Sequence, residues 1–239
     1  MGSISNKIYC WYSEKMLEYT WKDEKAFETE VFMQYRIVGN TMPAVEILFD
    51  QAGESMYTQS GGMVWQSDGI EMSTSTNGGI MKGVGRMFAG ESFFMVTYRA
   101  EKDATIAFAS SVPGSIMPID VSEHRGMILQ KCAFLCAEDS VELSTILAKR
   151  LSAGMFGGEG FVLQQIDGSG TVFLEVDGDP IVKELASGEV IKVDTGNVVA
   201  FDSTVQYEVE TIKGMGNILF GGEGLFLTKL IGPGKVILQ

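Results

Sequence analysis

One glycine-rich motif occurs three times in the chain, and its spacing limits what these 239 residues can fold into. The copies are Met87-Phe88-Ala89-Gly90-Glu91-Ser92-Phe93-Phe94, Met155-Phe156-Gly157-Gly158-Glu159-Gly160-Phe161-Val162 and Leu219-Phe220-Gly221-Gly222-Glu223-Gly224-Leu225-Phe226. Glu91, Glu159 and Glu223 are separated by 68 and 64 residues. Between the second and third copies the register continues, matching Gly168 with Gly232, Gly170 with Gly234, Val172 with Val236 and Leu174 with Leu238. The unit is a repeat of about 65 residues, and such units bury their apolar faces by packing on one another.

Each unit reads as β. Phe161 to Ile166 and Thr171 to Val176 flank an Asp-Gly-Ser-Gly turn, and Leu225 to Ile231 and Lys235 to Leu238 flank Gly-Pro-Gly. That turn chemistry predicts hairpins. Further strand-rich stretches lie upstream, around Met63-Val64-Trp65, Met127 to Cys136 and Val198 to Phe201. Short strands at such intervals indicate a sandwich or barrel built three times. The expected fold is all-β, with three sequence-related β-sandwich or β-helix-like repeats in a pseudo-threefold arrangement. Their approximate bounds are 31–112, 113–178 and 179–239. The only helix candidate among them is Thr145 to Leu151, where a turn is an equal reading. Residues 1–30 read as an appendage in which Tyr9, Trp11, Tyr12, Tyr19, Trp21 and Phe27 interleave with charges, and Ser13 could cap a short helix.

Composition excludes several classes. With 45% hydrophobic residues the chain is not disordered. Its longest apolar runs, such as Cys132 to Ala137, fall far short of the roughly 18 residues a membrane-spanning helix needs. No positively charged region leads into an apolar one, so a signal peptide is not expected. Three cysteines make no disulfide framework, and Cys132 and Cys136, four apart in an apolar stretch, are expected as two buried thiols. Reduced thiols fit a cytoplasmic protein. The net charge of −13, with ten acids against two lysines between Asp167 and Glu210, repels phosphate, so no nucleic-acid partner is expected.

The Phe-(Gly/Ala)-Gly-Glu-(Gly/Ser) motifs, the opening Gln34-Tyr35-Arg36-Ile37-Val38-Gly39 and the stretch Gly126 to Ala137 occur in one order. Together they resemble the Aim-type mitochondrial-biogenesis family, over about Met33 to Gln239. The resemblance implies a triplicated β-fold similar to the trp RNA-binding attenuation protein, a TRAP-like fold, and no assigned catalytic residues. The bacterial members are largely uncharacterised cytoplasmic proteins.

No nucleophile elbow, phosphate-binding loop or dinucleotide fingerprint is present, so no catalytic residue, metal site or cofactor is assigned. His124, the only histidine, reads as a loop residue. Glu91, Glu159 and Glu223 are the ligand or cation candidates. Converging on an internal axis they would raise one another's pKa or hold a cation, which opens the alternative of a metal-assisted hydrolase or isomerase. Apart, each would accept glycine N–H groups and pin its own turn. Lys82 and Arg86 precede Met87 and Phe88; Lys149 and Arg150 precede Met155 and Phe156; Lys213 precedes Leu219 and Phe220. Basic and apolar side chains repeated at one end fit a homo-oligomer interface, plain packing, or weak contact with an anionic membrane surface. The favoured function is a non-enzymatic scaffold or binding protein that self-associates through this end.

Overall fold

The computed structural model describes residues 33–59, 61–76, 94–124, 126–146, 162–211 and 226–239. Residues 32–239 form one unit; residues 1–31, with the expected appendage, fall outside the described residues. The described residues hold nineteen strands, three short 3-10 turns and no α-helix. The fold is all-β.

After the leading strand β1 (Gln34–Val38), strands run in three successions of six. The first is β2 (Ala44–Phe49), β3 (Ser55–Gln59), β4 (Met63–Gln66), β5 (Ile70–Thr76), β6 (Phe94–Ala100) and β7 (Ala104–Ala109). The second is β8 (Gly114–Asp120), β9 (Met127–Gln130), β10 (Phe134–Glu138), β11 (Val141–Ile146), β12 (Leu163–Gly168) and β13 (Thr171–Asp177). The third is β14 (Ile181–Leu185), β15 (Val190–Asp194), β16 (Val198–Asp202), β17 (Gln206–Thr211), β18 (Phe226–Ile231) and β19 (Gly234–Leu238).

Two six-stranded antiparallel sheets have the orders β5-β6-β3-β10-β13-β8 and β11-β12-β9-β16-β19-β14, the second being the first advanced by six strands. The remaining strands form β15-β18-β17 and β1-β2-β7-β4. The same advance relates these to halves of the larger sheets. Each succession thus divides between two sheets.

The turns at Asp167-Gly168-Ser169-Gly170 and Gly232-Pro233-Gly234 correct the hairpin expectation. β12 pairs with β11 and β9, whereas β13 pairs with β10 and β8. β18 pairs with β15 and β17, whereas β19 pairs with β14 and β16. Both edges of each flanking strand are taken, so the turn passes the chain from one sheet to another. Gly168 and Gly170, at φ +96° and +107°, supply the left-handed backbone for this corner, where a Cβ on Gly168 would lie 2.5 Å from the Ser140 carbonyl. Consecutive strands pair at β1–β2 and, across the connections carrying the repeated motif, at β5–β6, β11–β12 and β17–β18. Thr145 and Ile146, where the helix candidate begins, belong to β11; the rest of that candidate lies outside the described residues.

Sheet packing explains the continuous apolar runs. Val45, Ile47, Phe49, Ile106 and Phe108 of the four-stranded sheet pack on Met56, Tyr98, Cys136 and Phe173 of the first six-stranded sheet. That sheet's other face sets Tyr57, Phe134 and Leu174 against Leu129, Ile166 and Ile237 of the second. The second meets the three-stranded sheet through Leu163, Phe201 and Leu230. With both faces covered, β9 is buried at every residue and β10 and β16 at every residue but the last, so alternation gives way to unbroken apolar sequence. Each fully buried large side chain contributes roughly 1.5–3 kcal/mol.

Candidate functional site

Glu91, Glu159 and Glu223, and the flanking Lys82, Arg86, Met87, Phe88, Lys149, Arg150, Met155, Phe156, Lys213, Leu219 and Phe220, all lie outside the described residues. Their anchor points are described. The three connections begin and end at the antiparallel pairs Thr76–Phe94, Ile146–Leu163 and Thr211–Phe226. Each therefore joins adjacent strands at one topological position.

Polar residues gather beside these anchors. Gln59, Gln130 and Asp194 end β3, β9 and β15 and stand opposite Met95, Leu163 and Leu227. Each of those partners follows its repeated glutamate by four residues. Gln130, Gln164, Thr195, Thr228 and Thr58 are buried. Gln59 Nε2 donates to Gln164 Oε1 at 3.5 Å, and Gln130 Nε2 donates to the Thr195 carbonyl at 2.5 Å. The Thr195 and Thr228 hydroxyls are 3.0 Å apart, and Thr58 Oγ1 donates to the Leu135 carbonyl at 2.5 Å. Asp194 Oδ1 accepts from the Gly196 amide at 3.0 Å, closing the 3-10 turn Thr195–Asn197. Bonding of this kind offsets the cost of burying amides and hydroxyls. The buried members carry neutral groups, so this row can position a ligand or the connections by hydrogen bonding, and it contains no acid–base pair. Among the described residues no cluster of three metal-ligating side chains occurs.

The cysteines depart from expectation. Cys136 is buried, and burial pushes its thiol well above the ordinary range. Cys132 is exposed. The 3-10 turn Lys131–Ala133 separates β9 from β10, so four-residue spacing does not keep both thiols on one strand face; Cys132 Sγ donates to Gln130 Oε1 at 3.3 Å instead.

His124 follows the 3-10 turn Val121–Glu123, whose first turn is capped by Asp120 Oδ1 accepting from the Ser122 amide at 2.9 Å. Its largely buried imidazole places Nδ1 2.9 Å from Asp202 Oδ1. Asp202 Oδ2 also accepts from the Lys235 amide at 2.8 Å. The carboxylate thus ties the entry of β9 to the start of β19. This pair spans 78 residues, and nothing local to His124 signals it.

The family described as mitochondrial biogenesis AIM24 matches residues 35–239. The chain belongs to this family. An uncharacterized protein of Streptococcus pyogenes serotype M6 is similar to it, with 29% identity over 205 residues covering 82% of this chain and 81% of that one. The X-ray crystal structure of a protein from Streptococcus pyogenes is similar in fold, with a TM-score of 0.70 and 27% identity over 87% of this chain and 93% of that one. The AIM24 match covers every described strand from β2 onward. Among the described residues no helix is long and apolar enough to cross a membrane.

Proposed function

We propose that the chain is a non-enzymatic cytoplasmic scaffold or binding protein that self-associates through a repeated apolar and basic end. The observation that carries this reading is the equivalent placement of three connections, each holding one motif copy and each joining neighbouring strands. Three such connections on a triplicated, TRAP-like body would present Met87, Phe88, Met155, Phe156, Leu219 and Phe220 together. Lys82, Arg86, Lys149, Arg150 and Lys213 would rim them. Apolar side chains centred within a charged rim are the composition of a protein interface. The neutral row of Gln59, Gln130, Gln164, Thr195 and Thr228 favours a supporting rather than a chemical role for the strand ends beneath.

Metal analysis of the purified chain tests the non-enzymatic part. The expected result is no stoichiometric metal. Stoichiometric metal that is lost in Glu91→Gln, Glu159→Gln or Glu223→Gln would overturn it in favour of a metal-assisted hydrolase or isomerase.

A further inference from the structure

Strands β2, β8 and β14 hold one position in the three strand sets. Glu46, Pro118 and Val182 correspond within them, standing opposite Ala107, Phe173 and Ile237. The β8–β13 ladder shows which backbone groups face outward. Its end pairs bond directly, from the Gly178 amide to the Pro113 carbonyl at 3.0 Å and from the Val121 amide to the Gly170 carbonyl at 2.9 Å. The alternate residues, Pro118 among them, therefore turn their backbone groups away from β13. The same register turns Val182 and Glu184 away from β19.

The three outer edges differ. β1 covers β2, with Arg36 opposite Glu46 and ion-paired to it. β8 ends its sheet with Pro118, which has no amide to offer, and with the Gly114 amide already donated to the Thr41 carbonyl at 2.8 Å. β14 also ends its sheet yet keeps its amides, and among the described residues no strand pairs with its outer side. Four of its five residues are exposed, including Ile181 at 53% and Val182 at 49%. Free carboxylates collect at the same place. Seven of the ten acids between Asp167 and Glu210 hold a side-chain hydrogen bond. The carboxylates of Asp177, Asp179 and Glu184, all exposed, hold none among the described residues.

We infer that the outer edge of β14 docks an extended basic segment of a partner protein, which adds to the second six-stranded sheet as a further antiparallel strand. Backbone hydrogen bonds to Val182 and Glu184 hold the segment. A lysine or arginine opposite Glu184 pairs with it as Arg36 pairs with Glu46, and an apolar residue two positions on covers Val182. Lys183, the only base between Asp177 and Glu184, lies on the other face of the sheet from Glu184 and does not oppose this pairing. A second copy is the poorer occupant, because it brings the same free carboxylates and its own β1 is already paired with β2. An uncovered edge with exposed aliphatic side chains invites another strand, and β8 shows how this chain blunts one where none is wanted. β14 carries no part of the repeated motif, so this docking and the proposed self-association stand or fall separately.

The probe is a blocked peptide with the β1 sequence, Gln34–Val38, whose arginine set opposite Glu184 brings its last valine opposite Val182. Titrated into the isotope-labelled full chain and followed by NMR, it should shift the Val182 and Glu184 amides, and added salt should weaken the effect. The same peptide carrying Arg36→Glu should shift neither. In the chain, Val182→Pro copies the residue that β8 holds at this position and should weaken binding about tenfold, as loss of one backbone hydrogen bond implies. Glu184→Lys leaves every backbone group in place and should weaken binding as well, which keeps the test decisive where the proline variant fails to fold. Edge amides of the unaltered chain that the peptide leaves unmoved, or equal shifts with both peptides, would overturn the proposal. Shifts that follow protein concentration and not peptide would overturn it too, by giving the edge to a second copy.

Discussion

The amide of Thr171 donates to Glu138 Oε1 at 2.8 Å, pinning the start of β13 to the end of β10. The Lys235 amide does the same to Asp202 Oδ2 at 2.8 Å, and the Thr105 amide to Ser67 Oγ at 2.9 Å. Three different side chains thus satisfy one backbone donor at corresponding places in three strand sets. Truncating Glu138 or Asp202 to alanine removes a charged acceptor and should cost about 1.5–3 kcal/mol; Ser67→Ala should cost about 0.5–1.5 kcal/mol. Urea titration of the three variants checks the order. Equal effects in all three would contradict this reading.

Core packing predicts a larger loss at Phe173. This fully buried ring meets Tyr35 edge-on, with centroids 4.9 Å apart, in the layer between the four-stranded sheet and its large neighbour. Phe173→Ala should destabilise by about 3–5 kcal/mol. Thermal unfolding followed by circular dichroism measures it, and a loss below about 1 kcal/mol would show that the layer is not packed as described.

Alkaline pH should unfold the chain in a defined direction. Burial, followed by the nearby Asp139 charge, pushes the Tyr57 hydroxyl far above its ordinary value, while it donates to the Val141 carbonyl at 2.9 Å. Burial also raises the Cys136 thiol. In both groups the folded state holds the proton more tightly than the unfolded one. Their stabilisation is complete below the unfolded values, about 8.5 for cysteine and about 10 for tyrosine, and is lost as pH rises above them. Urea midpoints measured from pH 7 to 11 should fall above about pH 8.5, and the decline should shrink in Tyr57→Phe.

The two described cysteines should separate cleanly in labelling. Cys132 is exposed and Cys136 has no accessible surface. A thiol reagent should modify Cys132 in the native protein and Cys136 only with unfolding, as peptide mass analysis would show. Comparable native labelling at both would contradict the burial of β10.

The sequence made the strands and their recurrence legible because glycine-rich motifs and apolar runs are local signals. Gly168 and Gly170 marked a turn correctly, but a turn does not say whether its flanking strands pair. β12 and β13 leave it for different sheets because β9 and β10 already occupy the edges they would have shared. The polar row was legible only in part: aligning the motif copies brings Gln130 and Asp194 into register, each 29 residues before its glutamate, whereas Gln59 stands 32 before Glu91 and is matched to them only by the strand pairing. The His124–Asp202 contact was not legible, because it depends on how two strand sets are laid together.

Sedimentation velocity, at low and high salt and micromolar concentration, tests the proposed self-association most directly. Added salt screens the repulsion between chains of net charge −13, so an apolar-centred contact should strengthen. The predicted result is a dimer or higher assembly that grows with salt and is dispersed by Phe156→Asp without loss of the β signature. A monomer under both conditions would contradict the account.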